Sequence, residues 1–370
     1  MEQEGKQKTG MGLLGAAVGM VLLCLVLAVL AAGSRNRAVT ASAPAALGTV
    51  SDVAPAVEAL AVGDRVIPLG RAVGIKLFSD GVLVVGLSPV ETGAGACYPG
   101  RDCGLKAGDL ITHIDGEEVD TIEEVQALVT QGEGEPLTIQ AMRGQKQVQL
   151  KAAAVANSQG VYQLGVWLRD SMAGIGTMTF YDPETGAFGA LGHGVNDVDT
   201  AMLMPLEKGS IMAATVSDVK KGACGQPGEL HGQFDLTGDL GALFANTERG
   251  VFGRLEACTM AKGLKPVEVA SRKEVREGEA TILSNVRGDK VEEFRVEITH
   301  VENKKGDSRS LMLRVTDPEL LAVTGGIVQG MSGSPIIQNG KLIGAVTHVL
   351  VNDPTRGYGI FIENMLDAAG

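Results

Sequence analysis

The sequence predicts a mainly β protein that follows one apolar N-terminal segment. Glycine supplies 51 of 370 residues, about double its usual share of roughly 7 %, which indicates many tight turns and short strands. Beyond residue 164 the helical signal nearly vanishes, and β-rich runs alternate with turn residues in a pattern typical of a barrel or sandwich. These runs are residues 177–181, 210–216, 279–283, 291–299 and 311–315, and a final short amphipathic helix is predicted over residues 362–369.

Charge and cysteine spacing exclude several kinds of ligand. The formal net charge of −12, with no basic run or series of stacking aromatics, argues against a nucleic-acid partner. The cysteines lack zinc-finger spacing, so no metal and no cofactor is predicted. Cys97 and Cys103 bracket a short loop and could form a disulfide in an oxidising compartment. The pairing of Cys224 and Cys258 stays open.

The N-terminal region predicts attachment to a membrane. Residues 12–33 form an uncharged apolar run of bilayer-spanning length, which predicts a transmembrane anchor or a long signal peptide. Residues 1–11 are then a cytosolic tail, and residues 34–63 form an Ala/Ser/Pro/Val-rich linker. Ala41-Ser42-Ala43 resembles a signal-peptidase target, so cleavage stays open beside the favoured uncleaved anchor with the remainder exported.

Residues 64–155 alternate predicted strands with one short helix. Thr121 and Glu124 form a capping box that starts this helix, and Ile122, Val125 and Val129 fall on one of its faces. The same segment resembles a PDZ domain. The motifs that carry the resemblance are Val73-Gly74-Ile75-Lys76-Leu77, Gly104-Leu105-Lys106-Ala107-Gly108-Asp109-Leu110-Ile111 and Asp115-Gly116.

A PDZ domain binds an extended peptide as an added strand beside a helix, and its backbone N–H groups hold a terminal carboxylate. The resemblance therefore implies a peptide-binding groove, with Gly74, Ile75 and Leu77 on one side and the helix that starts at Thr121 on the other.

Residues 325–351 contain the strongest indication of chemistry. Ser332 lies between Gly330 and Gly333, and glycine tolerates the positive φ angles that turn successive N–H groups toward one point. Apolar runs follow, joined by Asn339-Gly340, a strong hairpin signal. Ser332 is the predicted nucleophile, with the N–H groups of Gly330 and Ser332 as the oxyanion hole. The alternative is an ordinary Gly/Ser turn.

A serine nucleophile needs a general base, for which His193 is preferred. It lies between two glycines and follows a short apolar segment, a pattern that favours an imidazole within reach of solvent. His348, on the hairpin that follows Ser332, is the rival base, and its strand position favours a pocket or core role.

A third group, usually a buried carboxylate, must orient the imidazole. Asp317 lies on the approach to the serine loop, Asp197 and Asp199 follow His193, and Asp353 follows the hairpin. The residue pattern does not decide which of these four aspartates orients the imidazole.

Several motifs together resemble the stage IV sporulation protein B family. They are Gly192-His193-Gly194, Gly225-Gln226-Pro227-Gly228-Glu229, Gly330-Met331-Ser332-Gly333-Ser334-Pro335-Ile336 and Gly344-Ala345-Val346-Thr347-His348-Val349. Members are membrane-tethered serine peptidases with one PDZ domain and a chymotrypsin-like β-barrel peptidase domain, here over residues 160–370. The resemblance implies His193 as base, Asp317 as orienting acid and Ser332 as nucleophile.

The resemblance also implies a biological role. Such a serine endopeptidase cleaves itself and a membrane-associated regulator of an intramembrane protease, and thereby activates a late sporulation sigma factor. Its catalytic part lies in the intermembrane space of the developing forespore, and its PDZ domain recognises its own segments and its target. The alternatives are an exported, non-catalytic PDZ scaffold that regulates a membrane partner by binding, and a degradative exported protease.

Overall fold

The structure is a computed structural model that describes residues 60–255, 259–302 and 307–369. All of these residues belong to one compact unit, Pro55–Gly370. The predicted tail over residues 1–11, the apolar segment over residues 12–33 and most of the predicted linker lie outside the described residues. Within the described ranges, no helix is both long enough and apolar enough to cross a membrane.

Strands make up most of the described chain, as the sequence predicts. The strands are β1 (Arg65–Leu87), β2 (Val90–Thr92), β3 (Gly95–Cys97), β4 (Asp109–Ile114), β5 (Glu117–Glu118), β6 (Pro136–Arg143), β7 (Lys146–Ala153), β8 (Val155–Ala156), β9 (Tyr162–Gln163), β10 (Val166–Tyr181), β11 (Ala187–Ala190), β12 (Lys208–Lys220), β13 (Glu229–Thr247), β14 (Gly250–Leu255), β15 (Val267–Glu268), β16 (Gly278–Arg287), β17 (Lys290–Val301), β18 (Leu311–Val315), β19 (Pro335–Gln338), β20 (Lys341–Leu350) and β21 (Asp353–Phe361). The helices are α1 (Pro99–Asp102), α2 (Ile122–Gln131), α3 (Pro318–Thr324) and α4 (Ile362–Ala369), with a 3₁₀ turn at Thr259–Ala261.

The first barrel is a ring of antiparallel strands in the order β1-β12-β13-β14-β11-β10, which closes because β10 also pairs with β1. Its interior is mainly aliphatic and includes Val73, Ile75, Leu77 and Met178, with Phe188 as a large aromatic member.

The second barrel closes in the order β16-β17-β18-β21-β20-β19. Strand β17 shows why these residues form a barrel wall: Phe294, Val296 and Ile298 are buried, whereas the alternate Glu293 and Arg295 are exposed. Because side chains alternate between the two faces of a strand, one face of β17 points into the core.

The predicted hairpin behind the serine is confirmed. Asn339 and Gly340 join β19 to β20 with φ angles of 52° and 77°, and Gln338 pairs with Lys341 across the turn. Positive φ at both central residues matches the twist of the two strands, which is why Asn-Gly is favoured there. The predicted helix over residues 362–369 is also confirmed as α4.

The PDZ-like domain contains β4, β6 and β7, the second half of β1, and helix α2. The predicted capping box is present: Thr121 accepts from the N–H of Glu124, and the Glu124 side chain accepts from the N–H of Thr121. The predicted apolar face packs inward, with Val125 and Val129 in a cluster that includes Ile111 and Ile139.

Strands β1 and β10 are shared between the PDZ-like domain and the first barrel. Val82 and Leu83 of β1 pair with β4, whereas the preceding residues from Val73 to Phe78 pair with β12 of the barrel. The first half of β1, which falls within the predicted PDZ range of residues 64–155, therefore belongs to the barrel.

Cys97, Cys103 and Cys224 are free thiols in the structure. Cys97 ends β3, and the Sγ of Cys103 lies 3.1 Å from the carbonyl oxygen of Gly100, to which it donates. The disulfide that the sequence allowed between Cys97 and Cys103 is not formed here.

Candidate active site

Ser332 lies on the loop that connects helix α3 to strand β19. Its neighbours Gly330 and Gly333 have φ angles of 95° and 97°, in the region that only glycine adopts readily. A Cβ atom on Gly333 would lie 1.9 Å from the carbonyl oxygen of Thr177. The sequence therefore needs glycine after the serine both for conformation and for close approach of two backbones.

Strand β10 of the first barrel holds this loop in place. The N–H of Thr177 donates to the carbonyl of Ser332 over 3.0 Å, and its hydroxyl donates to the carbonyl of Gly330 over 2.7 Å. The hydroxyl of Thr179 donates to Gly333, and the N–H of Gly333 donates to Val346 of the second barrel. The serine is thus fixed from both barrels.

His193 follows strand β11 of the first barrel through a tight turn. Leu191 and Gly192 have φ angles of 69° and 71°, and the conformation at Leu191 costs about 1 to 3 kcal/mol for a residue with a side chain. The Nδ1 atom of His193 lies 2.8 Å from the carbonyl oxygen of Gly194. Because a carbonyl only accepts, Nδ1 carries the proton and Nε2 is left with its lone pair.

Burial lowers the pKa of His193 below its ordinary 6.5, and the hydrogen bond to Gly194 only partly offsets this effect. The ring is therefore neutral at pH 7 and able to accept a proton, as a general base requires.

The structure brings Ser332, His193 and His348 together around one cavity of about 400 Å³. The rest of its lining is mainly aliphatic and contains no Asp, Glu, Lys or Arg among the described residues. The hydroxyl of Ser332 donates to the carbonyl of Thr347 over 2.7 Å. To donate to His193, the hydroxyl has to leave Thr347.

Asp317 does not line this cavity. It caps helix α3 by accepting from the N–H groups of Glu319 and Leu320 at 2.9 and 3.2 Å, and its carboxylate lies 3.6 Å from Nε of Arg295. Burial raises its pKa, but the hydrogen bonds to the carboxylate and the charge of Arg295 lower it more, so the pKa lies below the ordinary value. The structure gives Asp317 a capping role and does not place it beside His193.

The other predicted carboxylates are also engaged elsewhere. Asp197 and Asp199 both form ion pairs with Arg169, and Asp353 accepts from the hydroxyl of Thr355 at 2.6 Å.

His348 lies on β20 with its ring beside that of His193. The ring centroids are 5.1 Å apart and the planes are inclined by 40°. Burial first, and then the charges of His193 and Arg309, lower the pKa of His348 from 6.5 to about 4. The sequence expected a pocket or core role for His348, and the structure places it in the cavity wall.

The two N–H groups predicted to form the oxyanion hole make no hydrogen bond within the described part of the protein. Among the described residues, the N–H groups of Gly330 and Ser332 have no hydrogen-bond acceptor. They are therefore available to a ligand oxygen. Also within the described part of the chain, no group of three or more His, Cys, Asp or Glu side chains is arranged to hold a metal ion.

The predicted peptide-binding residues lie elsewhere than expected. Gly74, Ile75 and Leu77 form the part of β1 that pairs with β10 on one side and β12 on the other, so both edges are occupied. No added strand can pair there. Instead, Ile75 and Leu77 line the Ser332 cavity.

A groove of about 460 Å³ does lie beside helix α2, but its other wall is the start of β10. Val166, Trp167 and Leu168 face Ile122 and Val125 across it. The sequence analysis did not identify this strand as a groove wall. Leu164-Gly165-Val166 nonetheless has a glycine between two aliphatic residues, as Val73-Gly74-Ile75 does. Only the strand pairing distinguishes the two.

Two β-barrels that contribute a histidine and a serine to one cavity, next to a domain with a helix-flanked groove, define a serine peptidase with a PDZ domain. The chain belongs to the SpoIVB peptidase S55 family, whose model matches residues 160–366. A PDZ domain model matches residues 93–143.

Similar solved structures include the PDZ domain of an SdrC-like protein from Listeria monocytogenes, which is 27% identical and covers 24% of this chain and 87% of its own, with a TM-score of 0.20. The Rv3671c protease in an inactive form is 13% identical, covers 52% of this chain and 82% of its own, and has a TM-score of 0.30. A serine-to-alanine variant of Rv3671c from M. tuberculosis is 15% identical, with coverages of 52% and 79% and a TM-score of 0.28. Among curated proteins, the search gives no match.

Proposed function

We propose that this serine peptidase is a membrane-tethered endopeptidase that cleaves its own chain and a membrane-associated regulatory protein in a sporulation cascade leading to late sigma factor activation. Membership of the SpoIVB family supports the link to sporulation. The observation that carries the catalytic part is the placement of Ser332 and His193 in one cavity. The apolar segment over residues 12–33 would anchor the chain, with the catalytic part exported between the forespore membranes.

The proposed reaction begins with a proton transfer inside the cavity. The Ser332 hydroxyl leaves Thr347 and donates to the free Nε2 of His193 as its oxygen attacks the peptide carbonyl. His193 then protonates the leaving amine as the C–N bond breaks. Water repeats the sequence on the acyl-enzyme, with His193 again as base, and the acid product and free Ser332 result.

The N–H groups of Gly330 and Ser332 are the proposed oxyanion hole. Both lack a protein acceptor among the described residues, and preorganised donors of this kind need no reorganisation when the negative charge develops. Loss of one such donor typically costs about 3 to 4 kcal/mol of barrier.

The cavity lining predicts the substrate class. Ile75, Leu77, Ile175, Val328 and Val349 contribute apolar surface, and no charged side chain lines the described cavity. An apolar side chain on the acyl side of the cleaved bond would gain from burial there, whereas a lysine ammonium would lose its hydration without an ion partner.

We therefore expect kcat/KM at least tenfold higher for a peptide with leucine at this position than for the matched peptide with lysine. Hydrolysis of the two peptides, followed by chromatography, measures the ratio. If the lysine peptide were cleaved as fast as the leucine peptide, or faster, the proposed preference for an aliphatic side chain would be wrong.

The groove beside α2 is the proposed site for an extended segment of the chain itself or of its target. The start of β10 forms one wall and α2 the other, the arrangement by which PDZ domains add a peptide strand.

The direct test of the peptidase proposal is covalent labelling of the full chain with a fluorophosphonate, followed by peptide mapping. We expect the adduct on Ser332, because only an activated hydroxyl reacts readily. Absence of an adduct, or an adduct on another serine, would overturn the assignment.

A further inference from the structure

A second cavity adjoins the Ser332 cavity. It measures about 530 Å³, and the residues that line both cavities are Gly174, Ile175, Gln329 and Gly330. The rest of its lining comes from strand β13, between Glu229 and Phe234. Neither Ser332 nor His193 lines it. Gly330, which carries one of the proposed oxyanion donors, therefore lies between the apolar cavity and a second cavity with a different lining.

Backbone hydrogen bonds join the start of β13 to the serine loop. The N–H of Leu230 donates to the carbonyl of Gln329 over 2.9 Å, and the N–H of Gln329 donates to the carbonyl of Gly228 over 2.9 Å. Glu229 lies between these two bonded positions. The backbone of Glu229 is therefore fixed beside the residue that precedes Gly330.

Strand β10 presents an open edge to the second cavity. The N–H of Thr177 donates to Ser332, and the carbonyl of Thr177 accepts from Leu191, so the polar groups of Thr177 face away from β1. The pairing of β1 with β10 is regular over this stretch, and alternate residues of an antiparallel strand direct their backbone groups to the same edge. The N–H and carbonyl of Ile175 therefore face that edge too. Among the described residues no strand pairs there, because β11 pairs with β10 only from Met178 onward.

The second cavity differs from the first in carrying charge. Glu229 and His231 are the ionisable side chains in its described lining. Oε2 of Glu229 lies 3.4 Å from Nε2 of His231, and the two side chains are 51% and 49% exposed. Lys220 lies opposite Glu229 in the register of β12 and β13, but it does not line the cavity. The Glu229 carboxylate is therefore within reach of a ligand that enters from solvent.

We propose that Glu229 selects a basic side chain among the first three residues after the cleaved bond of the substrate. The proposal rests on the proposed peptidase function and adds a specificity-determining residue to it. With the acyl side chain in the apolar cavity and the carbonyl oxygen at Gly330 and Ser332, the rest of the substrate continues along the open edge at Ile175, past Glu229. A lysine or arginine there replaces His231 as the partner of the carboxylate, whereas a glutamate is repelled.

The half-exposed setting of Glu229 limits the size of the effect. An exposed ion pair changes an equilibrium constant by at most about fivefold, and salt screens it. We therefore expect kcat/KM to be about threefold higher for a peptide with lysine at the selected position than for the matched glutamine peptide. The ratio of the lysine peptide to the glutamate peptide should be about tenfold, and it should shrink in about 1 M salt.

The test is hydrolysis by the full chain of peptides with leucine on the acyl side. Lysine, glutamine or glutamate is placed in turn at the first, second and third positions after the bond. In Glu229→Gln, the rates for the lysine and glutamate peptides should differ by less than about threefold. In His231→Gln, the preference for lysine should exceed that of the unmodified protein, because Glu229 loses its partner.

Glu293→Gln is the control for this experiment. It removes the same charge from an exposed position on β17, and Glu293 lines neither cavity. Its preference for lysine should equal that of the unmodified protein. Each ratio compares two substrates of one protein, so a variant with lower overall activity still reports it.

The outcomes separate this inference from the peptidase proposal. Unmodified protein that forms no fluorophosphonate adduct on Ser332 and hydrolyses none of the peptides contradicts the peptidase itself. An adduct on Ser332 without hydrolysis of any lysine peptide, or with equal rates for lysine and glutamate at all three positions, overturns only the role of Glu229. A preference for lysine that persists unchanged in Glu229→Gln also overturns it, because another group would then be responsible.

Discussion

Replacement of Ser332 by alanine is expected to abolish peptide hydrolysis and self-cleavage while the fold is retained. In the proposed reaction this hydroxyl forms the acyl-enzyme, and removal of a catalytic serine lowers kcat by about 10⁶. Among the described residues this hydroxyl makes a single hydrogen bond, to the carbonyl of Thr347. Its loss should therefore cost only about 1 kcal/mol of unfolding free energy. Gel analysis of the expressed chain and hydrolysis of a peptide measure the first effect, and denaturant unfolding measures the second.

Ser334→Ala is the matched control for this experiment. Ser334 lies on the same loop and is fully buried. Among the described residues its hydroxyl bonds only to the hydroxyl of Ser284, at 3.2 Å, and Ser334 is not one of the residues that line the cavity. We expect this variant to keep self-cleavage. Continued processing by purified Ser332→Ala would show that another residue is the nucleophile.

Replacement of Gly333 by alanine is expected to remove most activity by displacing the serine loop. The new Cβ would lie 1.9 Å from the carbonyl oxygen of Thr177 and 2.6 Å from the nitrogen of Leu191, and neither backbone atom can move without shifting a barrel strand or the approach to His193. Overpacking of this kind costs about 1 to 3 kcal/mol, and the positive φ adds about 1 to 2 kcal/mol. A misplacement of about 1 Å at the reacting atoms can cost roughly 100-fold in rate.

Gly340→Ala distinguishes this steric effect from the cost of a positive φ alone. Gly340 has a φ of 77°, and a Cβ added there would have no atom of the described residues within 4 Å, so its variant should be slightly less stable and fully active. Fluorophosphonate labelling rates measure activity, and unfolding in a Ser332→Ala background measures stability without self-cleavage. A Gly333→Ala variant that labels at the unmodified rate would contradict the role assigned to this close approach.

Features set by neighbouring residues could be predicted well. The Asn339-Gly340 hairpin and the Thr121–Glu124 capping box are present, because a turn with two positive φ angles and a helix N-terminus depend on residues only a few positions apart. The glycines around Ser332 likewise indicated a backbone conformation that is local.

Features that depend on strand partners could not be predicted. Gly74, Ile75 and Leu77 have a sequence that suits an open sheet edge, but pairing with β10 and β12 encloses them in a barrel. The start of β10, where Val166 pairs with Leu87 of β1, lines the groove beside α2 instead. The residues of neither segment indicate which strand it will pair with.

The sequence by itself determined the glycine-flanked loop of Ser332, the hairpin that follows it and the glycine-flanked turn of His193, because these are patterns of short range. Only the tertiary structure decided which groups surround that histidine. It placed Asp317 at a helix N-terminus and His348 at the side of His193, because closing two barrels brings together residues that are far apart in the chain, while each carboxylate is satisfied by the nearest backbone N–H groups or cation.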